Sequence, residues 1–381
     1  MIRIILRALF ILILMTDVLS ACVPHTIEGE ETLTLPAYVK TTSSPEILPS
    51  NSKTEASTPT NTLKPLDSSA TPSPLSSPTP EQIGEGFELT VTSWDGSRSL
   101  VHGIRVGCLD DSNPCFGEPE LLAEIQDIEI WEARWSPDGK RLAFEGTYRI
   151  GDQPVDDIFV VDSGGKNLMN ITNVSEIVSG NEFRTIAEAP RWSPDGLILA
   201  YNLCNLSCKV FETNIESGMT KQLLEKLDSS HTHLGGWSPT GDQLVFTIDD
   251  VHSNSQVFIS DLIGDNLIQV TDTLEDNYSA SYSPDGNWLL VNRAASAEGL
   301  PYFSSLFIID PSSYQERKLT YEDLFYIQPV WSSDSQWIVT VGETGPGPGQ
   351  IYLININGTV IQLELEPGKY SNPGWRSSQN P

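Results

Sequence analysis

Four cysteines fall into two local pairs, Cys108 with Cys115 and Cys204 with Cys208, and two histidines alternate along one short segment, His231 and His233. Thiols this near in sequence close small loops when oxidised, provided their Cα atoms come within about 4.4–6.8 Å. A disulfide is therefore expected in each pair, Cys108–Cys115 and Cys204–Cys208; a zinc site would instead need the two pairs to meet. In an extended segment His231 and His233 point to one side, and a carboxylate such as Glu188 brought beside them makes a candidate metal site. Nucleophilic chemistry has little to stand on. The segment Gly236-Trp237-Ser238-Pro239-Thr240 departs from the G-x-S-x-G elbow at its last position. P-loop, dinucleotide, HExxH and calcium-loop patterns are missing from the sequence. No catalytic residue and no cofactor is expected.

The elements that would position these residues repeat. Trp135-Ser-Pro-Asp-Gly139 returns as Trp192-Ser-Pro-Asp-Gly196, Trp237-Ser-Pro-Thr-Gly241, Tyr282-Ser-Pro-Asp-Gly286, the degenerate Trp331-Ser-Ser-Asp-Ser335, and a final Trp375. Successive aromatics lie 57, 45, 45, 49 and 44 residues apart, which suits one four-stranded blade per unit. Ser-Pro-Asp-Gly is a β-turn: Pro presets φ, Asp bonds nearby backbone, and Gly takes positive φ. An apolar strand follows each turn, as in Leu197–Tyr201 and Trp288–Val291, and a second strand follows a variable loop, as in Asp157–Val161 and Gln256–Ile259. Several units end in an apolar-Thr pair, Ile171-Thr172, Val270-Thr271 and Leu319-Thr320. The abundance of Gly (28), Pro (26) and aromatics agrees with an all-β chain.

These units resemble the WD40-like repeats of the TolB propeller, also found in the propellers of prolyl-oligopeptidase-type peptidases. The resemblance covers residues 83–381 and implies a six-bladed β-propeller of four-stranded antiparallel blades, with the first strand of each unit innermost. The chain shows no counterpart of the small α/β domain that precedes the propeller in TolB. Trp375 begins a unit without room to finish, whereas the first three strands, near residues 87–92, 100–106 and 120–125, have no preceding motif. The C-terminal stub is therefore expected to supply the innermost strand of the N-terminal blade and so close the ring.

In such a ring, equivalent residues converge around the channel. Four places before each motif aromatic stand Trp131, Glu188, His233, Tyr278, Ile327 and Ser371. Trp131, Glu188, His233 and Tyr278 are the candidate ligand-binding residues at the channel mouth: two aromatics, a carboxylate and an imidazole suit a small polar ligand or a sugar.

Ahead of the repeats the chain changes character twice. Residues 1–21 carry Arg3 and Arg7, then an apolar run from Ala8 to Met15, too short for the roughly 20 residues that span a bilayer. The segment reads as an export signal, and Leu19-Ser-Ala-Cys22 resembles the lipobox of bacterial lipoproteins, which implies cleavage before Cys22 and lipidation of its sulfur. Residues 22–82 are expected to be a disordered linker: 31 of the 59 residues from Pro24 to Gln82 are Ser, Thr or Pro, too polar to offset chain entropy. Export also permits disulfides.

Charge narrows the partners. The signal contributes +1 and residues 23–82 contribute −4, which leaves −26 of the formal −29 in residues 83–381. Nucleic acid is excluded as a partner because phosphate backbones are held by Lys and Arg. The expectation is a lipid-anchored, extracytoplasmic lipoprotein whose monomeric propeller is a non-catalytic binding or scaffolding module for a protein or small polar ligand. The rival is a lyase- or lactonase-type propeller enzyme with its site at the channel mouth.

Overall fold

The computed structural model describes residues 87–108, 115–177, 184–229, 231–249, 254–294, 303–321, 324–344 and 349–377. The expected signal 1–21 and the linker 22–82 with Cys22 lie outside the described residues. Blade 1 holds β1 (Phe87–Trp94), β2 (Arg98–Cys108), β3 (Cys115–Phe116) and β4 (Glu120–Gln126). Blade 2 holds β5 (Glu129–Trp135), β6 (Arg141–Ile150), β7 (Gln153–Asp162) and β8 (Met169–Asn170). Blade 3 holds β9 (Ile186–Trp192), β10 (Ile198–Cys204), β11 (Cys208–Asn214) and β12 (Thr220–Gln222). Blade 4 holds β13 (Thr232–Trp237), β14 (Gln243–Asp249), β15 (Ser255–Asp261) and β16 (Ile268–Gln269). Blade 5 holds β17 (Asp276–Tyr282), β18 (Leu289–Ala294), β19 (Ser304–Ile309) and β20 (Glu316–Lys318). Blade 6 holds β21 (Phe325–Trp331), β22 (Trp337–Glu343), β23 (Gln350–Asn355) and β24 (Val360–Gln362).

Blades 2 to 6 are meanders in chain order, each an antiparallel four-stranded sheet. The last strand, β25 (Ser371–Ser377), breaks that order and pairs antiparallel with β1, Trp375 opposite Leu89. The chain's end thus becomes the innermost strand of its first blade, as the repeat arithmetic requires. This closure covers the inner edge that β1 would otherwise present.

Ser136 Oγ donates to Asp138 Oδ1 at 2.6 Å and accepts the Arg141 N–H at 3.0 Å, while Gly139 turns with φ 67°. Blades 3 and 5 repeat this through Ser193–Asp195 and Ser283–Asp285. Where Thr240 replaces the Asp, Asp242 two places on accepts from Ser238 instead, at 3.1 Å. Hydroxyl and backbone N–H bonds hold the carboxyls of Asp138, Asp195, Asp242 and Asp285 below their ordinary value: against opposing burial at Asp138 and Asp285, through Ser193's hydroxyl first at Asp195 and through Thr240's hydroxyl first at Asp242. A depressed carboxylate stabilises the fold above its unfolded pKa, near 3.9, and loses that contribution as pH falls through the lower folded value. Asp195→Asn is therefore expected to lower the melting temperature at pH 7. The gap from the unsubstituted chain should narrow as pH falls below about 4, which calorimetry at stepped pH measures.

The core is six wedges, one between each pair of neighbouring blades. Between blades 2 and 3, for example, Ala143, Ile158 and Val160 meet Ala187, Leu199 and Tyr201. Between blades 6 and 1, Trp337, Val339 and Leu353 meet Leu89, Val91 and Trp375. Motif indoles cross these seams: Trp135 Nε1 donates to Thr90 Oγ1 at 2.9 Å and Trp192 Nε1 to the Arg134 carbonyl at 3.0 Å. Buried amides clamp backbone to backbone in the same way. Asn202 accepts the Leu234 N–H and donates to the Thr232 carbonyl, and Asn292 donates to the Tyr326 carbonyl. The apolar-Thr pairs have a shared task as well. The hydroxyls of Thr172, Thr271 and Thr320 accept the backbone N–H groups of Ile158, Val257 and Leu306 at 2.9–3.0 Å.

Candidate binding site at the channel mouth

Each innermost strand begins at the end of the ring that carries the hairpins between second and third strands. In blade 3, Cys204 pairs with Ile186 at the start of β9 and with Cys208 across the hairpin. All six innermost strands are irregular near this end, the register slipping beside Ile130, Glu188, Leu234, Asn277, Ile327 and Thr92. Ala189, Gln328 and Asn372 take φ of 56°, 50° and 47° there, values uncommon for residues with a Cβ. Such bulges re-aim side chains.

The six positions four residues before the motif aromatics have different fates. Glu188 and His233, from adjacent blades, come together with Glu188 Oε1 3.5 Å from His233 Nδ1. That bond is the main reason His233 titrates above its ordinary value; burial opposes it, and Asp249 and Asp276 add to it. Trp131 donates its indole N–H to Thr147 at 2.9 Å. Tyr278 points its hydroxyl into blade 6, donating to the Tyr326 carbonyl at 2.9 Å and stacking on Phe325, and burial pushes its phenol well up. Ile327 packs into a wedge and Ser371 bonds Thr92. Only Glu188 and His233 among the four candidates form a chemical pair. Among the described residues, Glu188, Cys208 and His233 form a group of possible metal ligands within reach of one another. His231, exposed and just ahead of β13, is outside that group; its backbone bridges to Cys208.

A disulfide joins Cys204 and Cys208. Cys108 and Cys115 face each other in the β2–β3 register, and their side chains lie outside the described residues.

Deeper along the axis lies a network that sequence reasoning missed. Glu132 Oε1 takes Arg134 at 2.8 Å from its own strand and Arg191 at 2.6 Å from blade 3. Arg191 also donates to the Gly235 carbonyl of blade 4 at 2.7 Å, so it ties three consecutive innermost strands. Burial draws Arg134 down to about 10, which leaves it cationic at neutral pH. Two guanidinium groups thus share one carboxylate inside a strongly acidic protein. Gln328 of blade 6 reaches past blade 1 to the Trp131 carbonyl of blade 2. A signal did exist: Arg-Trp-Ser-Pro-Asp-Gly occurs twice, at Arg134 and Arg191.

Residues 177–344 match the PD40 family, the TolB beta propeller domain. TolB from Acinetobacter baumannii superposes with a TM-score of 0.55 at 19% identity, over 76% of this chain and 66% of that one. A protein described as a TolB from Agrobacterium tumefaciens gives 0.52 at 14% identity, over 77% and 98%. A chain of the nidogen/laminin complex gives 0.56 at 9% identity, over 77% and 100%. These identities speak for the fold alone. No curated protein matches the sequence. Six four-stranded blades and the seam-crossing indoles make residues 87–377 a six-bladed β-propeller, similar in fold to the TolB propellers and carrying the PD40 match over residues 177–344.

Proposed function

We propose that the protein is a lipid-anchored extracytoplasmic lipoprotein whose propeller binds a protein or small polar ligand at the channel mouth, without catalysis of its own. The observation that carries this reading is the mouth itself, where all six innermost strands are irregular near their starts and the Glu188–His233 pair shares an end of the ring with exposed apolar tips. Leu206 and Leu274, 63% and 89% exposed, belong to hairpins and connections at this end. Isolated exposed apolar residues are ordinary on any surface; two at the rim of a channel mouth suit docking. Propellers of this shape support the reading by analogy, since one neighbour was solved as a complex of nidogen with laminin. The lipobox-like Cys22 and the Ser/Thr/Pro linker support tethering of the propeller at a distance from a membrane.

Photo-crosslinking from each end of the ring tests the binding face. A photoreactive residue at Leu206 or Leu274 should capture a partner on intact cells, and one at Met219 or Tyr314, in turns at the other end, should not. Equal capture from both ends, or none, would remove the mouth as the binding face. For the anchor, a clickable fatty acid should label the unsubstituted chain and leave Cys22→Ser unlabelled.

A further inference from the structure

Oxidised cysteine pairs usually close loops that need closing. The β10–β11 hairpin does not: six further residue pairs, from Ile198–Asn214 to Leu203–Lys209, already fix its register. A bridge across a separation of four residues removes little chain entropy. Its position is more informative than its contribution to stability. Cys204 Sγ lies 3.5 Å from Glu188 Oε1, and the same oxygen lies 3.5 Å from His233 Nδ1. One ligand atom each from Glu188, Cys208 and His233 falls within 4.8 Å of the others. Asp249 and Asp276 add negative charge felt at His233, a field that favours a divalent cation.

From this geometry we infer a thiol-gated zinc site: opening the Cys204–Cys208 disulfide frees two sulfurs that, with the His233 imidazole and the Glu188 carboxylate, complete a four-ligand Cys₂-His-Glu set. Zinc prefers four tetrahedral N, S and O ligands, and it takes cysteine as the thiolate. While the sulfurs are bonded to each other, only His233 and Glu188 are offered, and two ligands hold zinc poorly. The chemistry balances with a dithiol as reductant. Its thiolate attacks one sulfur, a mixed disulfide forms, and its second thiol displaces the protein. The dithiol leaves as a cyclic disulfide having supplied two electrons, and Cys204 and Cys208 become thiols. Zinc binding then releases their two protons to water. The site shares the Glu188–His233 pair with the proposed binding face, but metal binding needs no docked partner and is read on the purified chain.

The test uses the purified full-length chain, oxidised or treated with a dithiol and desalted without oxygen, with Zn²⁺ and Co²⁺ as probes. The reduced chain should bind Zn²⁺ at least 100-fold more tightly than the oxidised chain. Its Co²⁺ form should show the intense thiolate-to-cobalt charge-transfer absorption, which Zn²⁺ abolishes. Cys208→Ser should lose that absorption, which separates this site from Cys108 and Cys115. His233→Ala leaves the disulfide and the hairpin intact, and should keep the absorption while weakening Zn²⁺ at least tenfold. Equal Zn²⁺ affinity in the two redox states would overturn the inference. So would a charge-transfer band that is absent from the reduced chain or survives in Cys208→Ser, or a His233→Ala chain that binds as the parent does.

Discussion

Ending the chain before β25 should abolish the cooperative unfolding transition and leave an aggregating, dye-binding product. The reason is positional. β25 is the innermost strand of blade 1, and its Trp375 is buried in the wedge between blades 6 and 1. Removing one buried tryptophan side chain costs about 3–5 kcal/mol, and here the whole strand goes with it. Asn372 donates to the Ile130 carbonyl and to Thr92, and Arg376 pairs with Glu88 at 3.1 Å. These bonds join β25 to β1 and to blade 2, so their loss opens the ring instead of trimming it. Total stabilities of about 5–15 kcal/mol do not survive such a loss, and β1 would present an unpaired edge. Circular dichroism melting and a hydrophobic dye read the result. Trp375→Ala serves as the milder companion, expected to melt lower but still cooperatively. A truncated chain that melts like the parent would mean the ring closes some other way.

Much of this architecture could be read in advance because its determinants are local. A Ser-Pro-Asp-Gly turn carries its own hydrogen bonds, so its recurrence announces a blade wherever it stands, and even the stub at Trp375 betrays the closure. The apolar-Thr pairs were visible as a pattern. Their purpose was not, because the N–H that Thr172 accepts belongs to Ile158, a strand away. The mouth was harder still. Counting back four residues finds Glu188 and His233, which do meet, but treats all six positions as equals. Tyr278 turns into blade 6 because a backbone carbonyl awaits it there. Cys208 enters the cluster from a hairpin that the count never samples. The Glu132–Arg134–Arg191 network and the reach of Gln328 to Trp131 depend on ring curvature, which appears only once six blades are assembled.

Asp157→Asn should destabilise the propeller by about 2–4 kcal/mol, although it changes one atom and leaves the side chain's shape intact. Asp157 is fully buried, and every group facing it is a donor. Oδ1 accepts from the Thr172 hydroxyl and from the Val174 N–H at 2.8 Å; Oδ2 accepts from the Tyr148 hydroxyl and the Asn170 amide, both at 2.9 Å. A carboxylate is acceptor-only and suits all four, whereas an amide must turn its NH₂ toward one pair and set donor against donor. For a domain of this size the loss amounts to a fall of roughly 5–12 °C in melting temperature. Blade 4 answers the same problem with the opposite chemistry. At the equivalent place Gln256 Oε1 accepts from Thr271 and Asn277, while its Nε2 donates to the carbonyls of Thr273 and Glu275. Gln256→Glu would therefore push a carboxylate oxygen against two carbonyls and should destabilise as well. The neutral-for-charged change damages blade 2, and the charged-for-neutral change damages blade 4. Were net charge the governing variable in so acidic a protein, removing the Asp157 charge would help; if that variant melts at or above the parent, the donor-against-donor account is wrong.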